Sequence, residues 1–148
     1  MRKLKWGILS TARIGLEAVI PAIKLSENGE VIAIASRTQK HAKQAAAQLG
    51  IHTAYGSYED LLADPEVEAI YNPLPNHLHF PWSIRTLEAG KHLLCEKPIA
   101  MNADETARLI EAARQRPELK VMEAFMYRFH PQWKAIRALL SEGAIGDL

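Results

Sequence analysis

The 148-residue chain has 18 basic and 17 acidic side chains, a formal net charge of +1, 48% hydrophobic residues and 24% charged ones. That length suits one domain with a core rather than two, and the charge balance gives no electrostatic case for nucleic acid or an anionic membrane surface. A single cysteine, Cys95, excludes an internal disulfide and fits a reducing compartment, so a cytoplasmic protein is expected. No apolar run approaches the ~18 residues that span a bilayer. The stretch behind Met1-Arg2-Lys3 is broken by Ser10, Thr11 and Arg13, unlike a signal peptide.

Short apolar runs alternate with helical patterns. Leu4–Leu9 reads as a strand. Arg13–Leu25 follows with Ile14, Ala18, Ala22 and Leu25 at helical spacing, and Pro21 is expected to kink or restart that helix. Val31–Ala35 is an apolar strand. Thr38 caps a helix bearing Ala42, Ala45, Ala46 and Leu49 on one stripe, stopped at Gly50. Ser57 and Asp60 frame another helix start, with Leu61 and Leu62 inside. Val67–Tyr71 is a strand, ended by Pro75-Asn76, which open a helix running to Ala89 and stopped at Gly90. His92–Cys95 is the next strand. Asn102 and Glu105 resemble a capping box for a helix to Arg114, with Ala107 and Ile110 inward. Leu119–Ala124 is the last strand, and Pro131 starts a final helix with Trp133, Ile136 and Leu140 on one face and Gly143 behind it. Strands that are apolar throughout and alternate with helices predict a doubly wound parallel α/β sheet of Rossmann type, covered on both faces.

Ligands of such sheets bind beyond the carboxyl ends of the strands, and the unusual residues cluster there. Behind the first strand lie Ser10-Thr11-Ala12-Arg13-Ile14-Gly15, where a dinucleotide fold normally has G-x-G-x-x-G. Only the third glycine is present, but Ser10 and Ala12 are small enough to let a pyrophosphate approach the helix N-terminus; a plain strand-to-helix turn is the alternative. Behind Val31–Ala35 stand Ser36, Arg37 and Thr38. An acidic residue there would bind the ribose 2′-hydroxyl of NAD, whereas Arg37 can face a 2′-phosphate, so NADP is expected in preference to NAD; a solvated surface arginine beside a helix N-cap is the alternative. Pro73, Leu74, Asn76 and His79 follow the Val67–Tyr71 strand, Glu96-Lys97-Pro98 the next, and Tyr127-Arg128-Phe129-His130 the last. Asn76 could instead cap its helix, His79 could be structural, Lys97 could be an ordinary solvated loop lysine, Arg128 could serve an interdomain ion pair, and Cys95 is most simply a buried strand residue. No His/Cys/Asp cluster has metal spacing, so no metal is expected.

Gly90-Lys91-His92-Leu93-Leu94-Cys95-Glu96-Lys97-Pro98 resembles the signature of the Gfo/Idh/MocA oxidoreductases. Trp6–Ser10, Ala54–Glu59, Tyr71–Pro75 and Met122–Ala124 are similar to the branch with dimeric dihydrodiol dehydrogenase and NADP-dependent xylose dehydrogenases. The resemblance covers the whole chain. It implies a nicotinamide-dependent dehydrogenase or reductase acting on the CH–OH group of a sugar or cyclic polyol. Lys97 would be the catalytic lysine, handling the hydroxyl proton as hydride leaves carbon. The cofactor would be lined by Ser10, Thr11, Ala12, Arg13, Ile14, Ser36, Arg37, Pro73, Leu74, Asn76, His79, Glu96, Lys97 and Arg128, with Glu96 orienting its loop or contacting a ribose. Pro98 is expected to follow a cis peptide.

Members of the family continue past the segment that matches Gly143–Leu148 into an α+β domain that forms the substrate pocket. Residues 1–124 are therefore expected to form the dinucleotide-binding domain. Residues 125–148 would be its last helix and the start of a connection to a C-terminal domain absent from this chain, which alone would be inactive. A homo-oligomer is expected of the full-length form, and some apolar surface here is expected to be exposed. A non-catalytic NAD(P)-binding or redox-sensing module is the other reading, favoured by the missing glycines and the missing second domain.

Overall fold

The computed structural model describes residues 2–146. Six parallel strands, β1 (Leu4–Leu9), β2 (Gly29–Ala35), β3 (Thr53–Tyr55), β4 (Ala69–Asn72), β5 (His92–Cys95) and β6 (Val121–Glu123), form one sheet in the order β3-β2-β1-β4-β5-β6. The chain winds outward from β1 to β3, returns, and winds outward the other way through β4 to β6. The order therefore reverses between β1 and β4, which opens a crevice at their carboxyl ends.

Neighbouring residues of a strand point to opposite faces, and here both faces are packed. Leu9, Ala33, Ala35 and Ile70 meet Leu61 and Leu62 of α3 (Tyr58–Ala63) and Trp82 of α4 (Asn76–Glu88) on one side. Ile8, Val31, Ile34 and Tyr71 meet Ile20 of α1 (Ile20–Leu25) and Ala45 and Ala46 of α2 (Gln39–Leu49) on the other. This is why the strands read as continuous apolar runs rather than alternating ones. The tightest approach is at Gly7. A Cβ there would lie 2.8 Å from Leu61 Cδ2 and 2.9 Å from Val67 Cγ1, so the glycine lets these side chains close onto β1 without shifting.

Most helix boundaries follow their caps. Thr38 accepts the His41 N–H at 3.4 Å, Ser57 that of Asp60 at 3.1 Å, and Asn102 that of Glu105 at 2.9 Å. Glu105 reaches back to the Met101 N–H rather than to that of Asn102. The first helix restarts as expected at Pro21: a π-helical turn, Gly15–Val19, precedes α1, whose first turn contains the proline.

Four details differ from the sequence reading. β3 was not singled out by apolarity, because its three residues are only half-buried. α4 continues through Pro81 without breaking. In α5 (Ala103–Arg114) the buried residue is Leu109, flanked by half-buried Thr106 and Ala113, whereas Ala107 and Ile110 are exposed; the inward stripe is rotated from the one expected. In α6 (Pro131–Ser141) the expected apolar face forms but buries none of its residues, and Trp133 packs on Tyr127, 5.3 Å between ring centroids. Asp147 and Leu148, the end of the expected connection, lie outside the described residues.

Candidate functional site

At the carboxyl end of β1 the backbone turns at Ser10, which adopts φ 73°. L-residues other than glycine avoid that region at a cost of roughly 1–2 kcal/mol. Ser10 offsets part of it by accepting the Ala12 N–H on its own hydroxyl, at 3.2 Å. The position of the first fingerprint glycine thus keeps the glycine conformation without the glycine. Gly15, the glycine that the sequence retains, is less constrained: a Cβ there would meet Tyr71 and Pro73 at 3.5 and 3.6 Å, ordinary contact distances. Thr11 and Ala12 are half-exposed, and Arg13 and Ile14 face solvent, with Arg13 Nε 2.8 Å from Glu17.

Behind β2, Ser36 is buried and its N–H donates to the Tyr55 carbonyl at 3.1 Å, while Arg37 is exposed. Among the described residues Arg37 has no salt bridge. Its guanidinium stands close enough to the Tyr58 hydroxyl to oppose the rise in pKa that burial imposes on that phenol.

Behind β4, Asn72 is fully buried and ties the turn to α4. Its amide donates to the His79 carbonyl at 3.1 Å and to Ser83 Oγ at 3.4 Å, and its side-chain oxygen accepts the Leu74 N–H at 3.3 Å. His79 is also buried. Its two ring nitrogens lie 2.6 Å from the Leu74 carbonyl and 2.6 Å from the Pro98 carbonyl, joining the turn behind β4 to the loop behind β5 from beneath. Pro73 and Leu74 are buried, and Asn76 is exposed and makes no capping bond, so its capping alternative is not realised.

The loop behind β5 is held residue by residue. The Tyr71 hydroxyl donates to the Glu96 carboxylate at 2.7 Å; burial and this bond both push the phenol pKa up. His79 meets the Pro98 carbonyl, and the Ile99 N–H donates to Glu123 Oε1 at 2.8 Å. The Lys97–Pro98 peptide is cis, as expected. Between these ties Lys97 is exposed, and among the described residues its ammonium has no hydrogen bond or salt bridge. Cys95, directly before the loop, is buried, and burial raises its thiol pKa to about 12. Lys91, in the same signature, is a buried strut: its ammonium donates to the Asp64 and Val67 carbonyls at 2.7 and 2.6 Å. Sequence reasoning did not assign site roles to Tyr71, Asn72, Ser83 or Glu123. For Asn72 and Glu123 the available signal was a polar group at the end of an otherwise apolar strand.

The family model described as an oxidoreductase family with an NAD-binding Rossmann fold, Gfo/Idh/MocA, matches residues 4–125. The chain belongs to this family. It is 52% identical over 128 residues to D-xylose 1-dehydrogenase (NADP(+)) 2 of Haloferax volcanii, covering 86% of this chain and 39% of that protein. It is 43% identical over 145 residues to the trans-1,2-dihydrobenzene-1,2-diol dehydrogenase of Xenopus tropicalis, covering 97% and 44% respectively. Among solved structures, the 3-ketoreductase KijD10 of Actinomadura kijaniata in complex with NADP superposes with a TM-score of 0.90 at 38% identity, over 99% of this chain and 46% of that one. The chain thus spans less than half the length of these relatives.

As the NAD-binding domain of a Gfo/Idh/MocA protein, the chain has a donor set that suits a dinucleotide. The open Ser10–Arg13 backbone precedes a helix N-terminus, and Arg37 is an exposed cation at the end of β2. Arg128 lies exposed on a 3-10 turn, Met126–Phe129, behind β6. Beside that turn, an open apolar groove of about 690 Å³ runs between the first helix and the β5–β6 end of the sheet, with Ile14, Ala18, Leu94, Glu96, Met122 and Phe129 among its walls. Among the described residues no group of three or more His, Cys, Asp or Glu side chains could hold a metal, and no helix is long and apolar enough to cross a membrane.

Proposed function

We propose that this chain is the cofactor-binding portion of an NADP-dependent dehydrogenase or reductase acting on the CH–OH group of a sugar or cyclic polyol, with Lys97 as its catalytic group. The observation behind this reading is the isolation of Lys97. Residues 96, 98 and 99 are each tied to a different element, while the ammonium between them stands exposed and, among the described residues, unpaired. A lysine kept only for solubility needs no such frame. The enzymes and the NADP complex to which the chain is similar support the substrate class and the cofactor.

In this reading Ser10, Thr11, Ala12, Arg13 and Ile14 approach the pyrophosphate, with backbone N–H groups and the helix N-terminus facing negative charge. Arg37 and Ser36 take the 2′-phosphate. Pro73, Leu74 and Asn76 line the cofactor, the first two through their backbone because their side chains are buried, and His79 supports both turns from below. Glu96 and Arg128 flank the nicotinamide end. The nicotinamide, when bound, supplies or accepts hydride. Lys97 handles the proton: as ammonium it donates to a carbonyl oxygen being reduced, and as amine it takes the hydroxyl proton of an alcohol being oxidised.

The apolar residues left exposed behind β6, with Met126 81% and Phe129 71% accessible, suit a surface covered by a substrate domain or a second copy. The single buried Cys95 suits a reducing cytoplasm. Of the two features that favour a purely binding module, the missing first glycine carries less weight, because Ser10 already adopts the glycine conformation. Lys97→Met in the full-length protein tests the proposal: turnover with a sugar or polyol panel falls about 10²–10⁴-fold or more while NADPH affinity stays near wild type. Turnover near wild type would refute the assignment.

A further inference from the structure

The three ties on the 96–99 loop differ in origin. Tyr71 and His79 come from β4 and from the helix that follows it, elements that also build the cofactor crevice. The third comes from β6. Glu123, half-buried at the last position of that strand, accepts the Ile99 N–H at 2.8 Å, and the next residue, Ala124, donates its N–H to the Cys95 carbonyl at 2.8 Å. The dipeptide Glu123-Ala124, where β6 ends, thus holds the chain immediately before Glu96 and immediately after Pro98. A carboxylate is a strong acceptor for a backbone N–H. Ile99 belongs to a loop, with no ladder partner in the sheet, so the carboxylate completes its hydrogen bonding. β6 also leads, within a few residues, into the turn bearing Arg128.

We infer that Glu123 is a positioning residue for Lys97: by accepting the Ile99 N–H it closes the far side of the loop and sets where the ammonium reaches. This rests on the reading of Lys97 given above, but its test does not depend on turnover. The chain is reductively methylated with 13C-formaldehyde, and the dimethyl-Lys97 resonance is assigned by its loss in Lys97→Arg. That resonance and the exchange rate of the Ile99 amide are then followed with and without NADP+ in three variants.

Glu123→Gln keeps an acceptor and is expected to preserve both signals. Glu123→Ala removes the acceptor. The Ile99 amide is expected to exchange about ten-fold faster or more, and the Lys97 resonance to lose most of its response to NADP+. Glu123→Asp keeps the charge but withdraws the acceptor by one methylene, and is expected to behave as Ala does; it stands in if the alanine variant fails to fold. An unchanged Lys97 resonance in both Ala and Asp overturns the inference, as does an equal perturbation by Gln. If Lys97→Met leaves turnover intact while these signals still move, Glu123 positions a lysine that is not catalytic. If Lys97→Met abolishes turnover and the signals stay still, Lys97 is catalytic and Glu123 does not position it.

Discussion

Behind β1, Ser10 keeps the turn tight with its own backbone, at φ 73°, and one internal bond to Ala12. Behind β5, three other elements reach in to hold residues 96, 98 and 99. The first turn offers main-chain N–H groups along a segment, which suits recognition of a diffuse anionic group such as a pyrophosphate. The second offers one side chain in one place, which suits contact with a reacting atom. Binding tolerates a turn that defines itself locally, whereas positioning one ammonium draws on β4, α4 and β6 together. The turn behind β1 is therefore expected to accept any residue that tolerates a left-handed backbone. The loop behind β5 is expected to respond to changes far from it in sequence.

Four substitutions or treatments press on that contrast. Gly7→Ala acts on the scaffold beneath the β1 turn. With neighbours at 2.8 and 2.9 Å from the new Cβ, it is expected to cost about 1–3 kcal/mol of stability, read as a lower denaturation midpoint with an unchanged slope. Stability within a few tenths of wild type would mean that α3 shifts freely. Ser10→Val places a β-branched residue at φ 73°, with an expected cost of about 1–2 kcal/mol and weaker NADPH binding, whereas Ser10→Gly keeps both. A glycine variant that loses cofactor affinity would show that the serine hydroxyl, and not the backbone conformation, is what matters.

Tyr71→Phe cuts one tie on the second loop. A stability loss of about 1 kcal/mol is expected, together with a larger effect on turnover of the full-length protein than on NADPH affinity. Equal effects on both would place Glu96 on the cofactor alone. The smallest effect concerns Cys95. With the thiol raised to about 12, only about one molecule in ten thousand is thiolate at pH 8. Iodoacetamide is expected to leave Cys95 unmodified in the native chain and to label it promptly in denaturant. Rapid native labelling would show that β5 opens.

The sheet was legible because burial on both faces makes the strands apolar without interruption, as in Val31–Ala35. The caps at Thr38, Ser57 and Asn102 were legible because one side chain and one nearby N–H define each. β3 escaped because three half-buried edge residues leave little periodic signal. The stripe of α5 was misplaced because which side of a helix is buried depends on the neighbour it meets, not on its own apolar count. The site divides the same way. Lys97 and Arg37 stand out as charges at strand ends, whereas Glu123 binds Ile99 from 24 residues away in sequence, a distance that no local pattern records.

Calorimetric titration of the chain with NADPH and NADH, repeated for Arg37→Ala, tests most directly the claim that the strand ends of this domain form an NADP site. NADPH is expected to bind more tightly, to lose about ten- to a hundred-fold in affinity when the guanidinium is removed, and NADH to change little. A preference for NADH that the substitution leaves untouched would contradict the claim.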